Sequence, residues 1–186
     1  MGYDIVIDAS VARAAGTSGK PDPEACRHAL AAVRDFGHKV AMSKPVREEW
    51  MKSESERDGH HHLYASLLAL GWLVDMQSSG RVDPIDLEEN SALRQRCLQG
   101  LQNNPQTSSS VNPVAKDFHL VETALKSDRR VLSLDKKMFG HLGHLQHIAI
   151  EVCAVMWVNP IINPAEKWLR AGAPETPGYH VCELRG

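Results

Sequence analysis

The stretch 4-DIVIDASVARAAG-16 decides how this chain folds. Its apolar residues run without clean alternation, the pattern of a short strand covered on both faces and therefore of a parallel sheet. The strand is expected over residues 3–9, and it carries Asp8 near its end. An ionised carboxylate is costly at the end of a covered strand unless something there uses it.

Outward from this strand, breakers and periodic segments alternate. The loop 16-GTSGKPDP-23 leads into 24-EACRHALAAVRDF-36, which has helical spacing and stops at Gly37. A second strand follows at 39-KVAM-42, with Ser43 as N-cap of a helix that begins at Lys44-Pro45. Polar 52-KSESERDGHHH-62 leads into a helix ending near 78-SSG-80, and 81-RVDPI-85 reads as an edge strand because Pro84 excludes a central one. Residues 86–101 read as a helix, 102–113 as a mobile Ser/Asn/Pro loop, and 114–128 as a strong amphipathic helix. Strands are expected at 130-RVLSL-134, ending in Asp135, and at 149-AIEVCAVMWV-158. This order predicts an α/β fold, a Rossmann-like three-layer α/β/α sandwich with a mainly parallel sheet. Residues 1–158 form one domain in this reading, and the Pro-rich 159–186 a C-terminal extension packed on it, with a short helix at 164–170.

Composition narrows the function classes. The 186 residues suffice for one domain with a real core, and the 42% hydrophobic content supports folding. A formal net charge of −2 is no basic footprint, so any contact with nucleic acid must be local. Cys26, Cys97, Cys153 and Cys182 are scattered and form no CxxC pair, which predicts reduced thiols and a cytoplasmic protein without structural zinc. The N-terminus shows no charged n-region or cleavage site, so no signal peptide is expected. The longest apolar stretch, 63-LYASLLALGWLV-74, is too short to span a bilayer.

The acids carry the chemistry. Asp8 and Asp135 follow predicted strands, at the sheet edge where open α/β folds bind ligands. Asp117 precedes the apolar stripe Phe118, Val121, Leu125, near the start of its helix, and Glu48 and Glu49 lie on the helix after the second strand. Each has a plainer reading taken alone: a turn or helix cap for Asp8 and Asp135, a helix-terminus charge for Asp117, solvated charges for the glutamates. Acids converging at one edge repel one another unless divalent cations occupy the cluster, and all-oxygen ligands favour Mg²⁺ or Mn²⁺.

The order Asp8, Glu48/Glu49, Asp117, Asp135 resembles the PIN domain, a nuclease fold. "VIDASV" looks like that family's first strand, whose terminal Asp is a metal ligand, and 43-SKPVREEW-50 looks like its Ser-to-Glu helix. There the acid is usually followed by a large apolar residue, which favours Glu49, before Trp50. The stretch 116-KDFHLVETALKSDRRVLSLD-135 resembles the PIN helix opening on Asp and the strand ending in Ser-x-Asp. The resemblance spans residues 3 to about 158. It implies that Asp8, Glu49, Asp117 and Asp135 hold one or two Mg²⁺ or Mn²⁺ ions, with Ser10 and Ser133 as near-site hydroxyls. Metal-activated water would then attack phosphorus in line. RNA is the implied substrate, an antitoxin or other protein the implied partner of toxin-type members, and a homodimer is an open expectation.

Lys116 and Lys44 are candidate phosphate contacts, as are Arg47, Lys136 and Lys137 beside the acids. His60-His61-His62 reads as a solvated or interfacial cluster, because consecutive helical residues diverge by about 100° and do not share an ion easily. His119, His141, His144 and His147 read as structural, although His119 is close enough to Asp117 to touch substrate, while Trp72, Trp157 and Trp168 are expected in the core or under the tail. The segment 122-ETALKSDRR-130 is expected to show only a solvated face. Two other functions compete with a nuclease: a non-catalytic PIN-like module binding RNA or protein, and a Rossmann-like phosphatase. The latter is weakened by Asp8-Ala9-Ser10 where Asp-x-Asp is expected.

Overall fold

The central strand is β1 (Asp4–Ile7) in the computed structural model of the chain, which describes residues 2–16, 21–55, 61–89 and 91–183. In chain order there follow α1 (Ala9–Ala14), α2 (Pro21–Asp35), β2 (Lys39–Ser43) and α3 (Lys44–Trp50). A small hairpin, β3 (Ser53–Ser55) and β4 (His61–Leu63), precedes α4 (Leu67–Ser78) and β5 (Val82–Ile85). Then come α5 (Ala92–Gln102), α6 (Val111–Leu125), β6 (Arg130–Leu132), α7 (Lys136–Leu142), β7 (Met156–Val158) and α8 (Ala165–Arg170). Five strands form one all-parallel sheet in the order β5-β2-β1-β6-β7, and β3 and β4 pair antiparallel apart from it.

Ile5, Val6 and Ile7 are fully buried, which is why this stretch lacks alternation. On one side of the sheet α6 packs against β1, β2 and β6 and carries α5 and α7. A second group unites α1, α2 and α4, and α2 packs in turn on α8. This is the three-layer, Rossmann-like α/β/α sandwich. The chain leaves β1 for β2 and β5 on one side and later returns to β6 and β7 on the other. The strand order therefore switches between β1 and β6, which opens a crevice at their carboxyl ends.

Local signals fix most boundaries. Gly37 ends α2 with φ +76°, a conformation that favours glycine, and Pro84 lies in the edge strand β5. Ser43 occupies the N-cap position of α3 without capping it. Its hydroxyl instead meets Thr123 Oγ1 of α6 at 2.8 Å. Trp72, Trp157 and Trp168 are buried.

Several expectations change. The helix predicted over 86–101 begins only at Ala92, where the Ser91 hydroxyl accepts from the Arg94 amide at 3.3 Å. The 102–113 segment is a compact turn: Thr107 Oγ1 donates to the Leu101 carbonyl at 3.0 Å, and Ser110 Oγ lies 2.8 Å from His141 Nδ1. It leads straight into α6 at Val111, with Pro113 tolerated in the first turn. The strand ending at Leu132 stops short of Asp135, which caps α7 instead. Of 149–158 only Met156–Val158 is strand, because its three-residue neighbour β6 offers no longer partner; Ile150–Ala154 coils as a 3₁₀ helix. The 122–130 segment is not merely solvated. Glu122 is buried against Arg94 at 2.6 Å, and buried Arg130 donates from Nε to the Ala173 carbonyl at 2.7 Å while covering the Tyr3 ring.

The cysteines also depart from expectation. Cys153 and Cys182 form a disulfide, and Cys26 and Cys97 are buried, with burial pushing the Cys97 thiol up to about 12. The pairing arises because the tail doubles back along β7: Trp157 donates to the Tyr179 carbonyl at 2.8 Å and Val181 to that of Val155 at 3.1 Å. It removes the ground for expecting reduced thiols, on which the cytoplasmic expectation rested. Trp168, Leu169, Ala173 and Val181 are buried, and His38 Nδ1 accepts from the Tyr3 amide while Nε2 meets the Leu169 carbonyl at 2.9 Å. Among the described residues no helix is long and apolar enough to cross a membrane.

Trp50 ties α3 to the central strand. It is fully buried, donates from Nε1 to the Ile7 carbonyl at 2.9 Å and stacks on Trp72. Trp50→Phe should destabilise the fold by about 1–3 kcal/mol, because a buried carbonyl loses its donor. Urea unfolding should show a lower midpoint at unchanged slope, and an unaltered midpoint would refute this anchoring role.

Candidate active site

The crevice begins with Asp8, the N-cap of α1. Its Oδ1 accepts from the Ser10 amide at 3.0 Å, and its Oδ2 accepts from the hydroxyls of Ser10, at 2.7 Å, and Ser133. Each hydroxyl also accepts a backbone N–H from the β6 side: Ser10 Oγ from Leu134 at 3.2 Å and Ser133 Oγ from Asp135 at 3.1 Å. The two serines thus latch the ends of β1 and β6 together and immobilise the Asp8 carboxylate, which is only 8% exposed. Asp135 caps α7 through Oδ1, which accepts from the Met138 amide at 2.8 Å.

Two helices supply the other acids. Asp117 lies almost two turns into α6 rather than at its start, three residues after Val114 and four before Val121, so it flanks the buried stripe. Glu49 precedes the anchored Trp50 on α3. Asp8, Glu49, Asp117 and Asp135 line one cavity of about 170 Å³ together with Ser10, Lys52, Tyr64 and Lys116. Glu48 points elsewhere, 65% exposed and 3.9 Å from Lys44.

Electrostatics couple these groups. Burial raises the Asp117 carboxyl above its ordinary value; Lys116, with Nζ 3.4 Å away, opposes the shift, while Glu49 and Asp8 reinforce it. Burial also acts to raise Glu49, but His119 outweighs it with help from Lys116 and Lys52, so the carboxyl is held below its usual range. His119 is buried with Nε2 3.3 Å from Glu49 Oε2, an ion-pair distance without hydrogen-bond alignment. It is therefore a buried neighbour of Glu49, in line with a structural role.

Lys44 is not in this cavity. It lines a separate depression with Arg47 and Asp86, because it lies about 140° around α3 from Glu49. Lys136 and Lys137 are exposed at the start of α7. His60 falls outside the described residues; His61 and His62 lie on β4, not on a helix. Lys52 and Tyr64 also line the cavity, and neither is singled out by the sequence, where Lys52 opens the polar run 52–62 and Tyr64 lies in the apolar stretch 63–74. The Asp58-Gly59 dipeptide was the available hairpin signal.

No family model, no curated protein and no solved structure matches this chain.

Among the described residues no three His, Cys, Asp or Glu side chains converge closely enough to ligate one ion. The four carboxylates share a cavity wall without meeting at a point. Mg²⁺ needs only one or two carboxylates, since it retains several waters and takes substrate oxygens. The carboxylate and hydroxyl oxygens here fit such an ion in donor chemistry.

The opposed shifts predict opposite mutant effects in EDTA. Asp117 has a raised folded pKa, so its ionised form costs stability at neutral pH, and that cost vanishes as pH falls through the folded pKa to the ordinary 3.8. Asp117→Asn should therefore raise Tm at neutral pH and give no gain near pH 3.8. Glu49 has a lowered pKa, so its stabilisation is present above the ordinary 4.5 and is lost in acid. Glu49→Gln should lower Tm at neutral pH. Thermal melts of both variants across this range check the signs, and a neutral-pH loss in Asp117→Asn would contradict the electrostatics.

Proposed function

We propose that the chain is a metal-dependent ribonuclease that hydrolyses RNA phosphodiester bonds, in keeping with its resemblance to PIN domains. One observation supports this above the others: four carboxylates from four separate segments line a single cavity at the switch point of a parallel sheet. Burial, reinforced by Glu49 and Asp8, raises the Asp117 carboxyl, and a cation in the cavity would offset that cost. Asp8, Glu49, Asp117 and Asp135 would hold Mg²⁺ or Mn²⁺. The bound ion would supply an activated water and charge stabilisation for phosphoryl chemistry.

The protein's own groups do the positioning. Ser10 and Ser133 hold the Asp8 carboxylate still, His119 favours the ionised form of Glu49, and Asp135 is held by the turn of α7 that it caps. Lys116 and Lys52, on the cavity wall, give the local positive charge that a chain of net charge −2 needs for a phosphate. A second reading, a non-catalytic module binding RNA or protein, draws on a different observation: Asp8 and Asp135 both serve as helix caps, which gives them work without metal.

The two readings part on one variant. Asp8→Asn removes a charge and one of the two acceptor oxygens that Ser10 and Ser133 use, so thermal melts in EDTA check that its fold is intact. The variant should lower cleavage of a labelled single-stranded RNA in Mn²⁺ by at least about 100-fold, and it should abolish the rise in Tm that Mn²⁺ gives the wild type. Lys116→Ala should weaken cleavage in a salt-dependent way while keeping the Mn²⁺ shift. Binding of RNA by wild type with no Mn²⁺-dependent cleavage would favour the module. Cleavage that survives both EDTA and Asp8→Asn would remove these acids from the reaction.

A further inference from the structure

The cavity has an aromatic wall that the acid chemistry does not use. Tyr64 follows β4 at the root of the hairpin, where its amide donates to the Lys52 carbonyl at 2.7 Å. The next two residues fix it to the body of the fold: Ala65 donates to the Trp50 carbonyl at 3.3 Å, and Ser66 reaches the Ala12 carbonyl through its amide at 3.2 Å and its hydroxyl at 2.8 Å. The main chain at Tyr64 is thus held from α1, α3 and the hairpin at once, which places the residue on the cavity wall with the four carboxylates. The guanidinium of Arg13 lies over the ring, 4.5 Å from its centre.

We propose that Tyr64 is a stacking platform for an unpaired nucleobase next to the scissile phosphate, so that the site takes single-stranded RNA. This rests on the nuclease reading and specifies its substrate. A cavity of about 170 Å³ is too small to enclose a whole nucleotide, so a phosphate can enter toward the acids while its base stays at the wall. The face of an aromatic ring at that wall is the natural surface for that base, since every base has a π-face and stacking tolerates any sequence. Lys52 and Lys116 place positive charge on the same wall, where the flanking phosphates of an extended strand run. A duplex does not fit this scheme: its bases are stacked on one another, and the A-form major groove is too narrow for a ring on a cavity wall.

The test is fluorescence anisotropy with a short labelled RNA in Ca²⁺, used as a single strand, as a duplex, and as single strands each carrying one abasic position. Tyr64→Leu keeps bulk without a π-face and should weaken single-strand binding about tenfold, while Tyr64→Trp should preserve it. One abasic position should cost the wild type a similar factor and cost Tyr64→Leu nothing further. Overlaid thermal melts of the variants confirm that folding is intact. Equal losses on single strand and duplex, an abasic series without effect, or a Tyr64→Trp variant as weak as Tyr64→Leu would each overturn the platform. If the wild type binds and cleaves RNA while Tyr64→Leu is neutral, only the platform falls. If the wild type binds no RNA strand of either kind, the nuclease reading falls with it.

Discussion

Everything at the sheet's carboxyl edge depends on the hydrogen bond from the Ser133 hydroxyl to the Asp8 carboxylate. It spans the one place where the parallel sheet changes direction, between β1 and β6, and no main-chain ladder continues there beyond the Asp8 amide and the Leu132 carbonyl. Ser10 repeats the contact from the other side by accepting the Leu134 amide. A carboxylate that would otherwise be an unpaired charge at a buried strand end becomes the acceptor that holds two strands in register. The bond is structural and also sets the position of one wall of the cavity.

Around this latch the fold uses apolar anchors to aim polar groups. Trp50 is locked to the central strand, so the preceding Glu49 has little freedom to leave the crevice. Val114, Phe118 and Val121 seat α6 on the sheet, and Asp117 sits deep because it shares that face. The cost appears as electrostatic tension: Asp117 is pushed toward its neutral form by burial and by its acidic neighbours, with Lys116 as partial relief.

Much of the fold was legible in the sequence because the signals were local. An apolar run without alternation specified a doubly covered strand and Pro84 placed β5 at an edge, whereas the choice of Glu49 over Glu48 rested on the resemblance to PIN domains. What escaped depended on geometry between distant segments. The position of Lys44 required the helical angle from Glu49, and Tyr64 and Lys52 entered the site only through the register of a hairpin. The Cys153–Cys182 pairing depended on a tail reversal, and 29 residues of separation gave no hint of it. Strand lengths failed for a related reason, since β7 is only as long as the partner that β6 offers.

The reversed tail has a consequence for how this protein meets others. Residues 179–181 run along β7 with main-chain bonds and an antiparallel bridge from His180 to Met156, so the tail already occupies the sheet's last strand position. At the opposite border, β5 is four residues long and interrupted by a proline that donates nothing. Both flanks are thereby poor templates for an incoming strand, one because it is taken and the other because it is short and a donor is missing. At these two borders of the five-stranded sheet, contact with another chain falls to side chains rather than to a shared main-chain ladder.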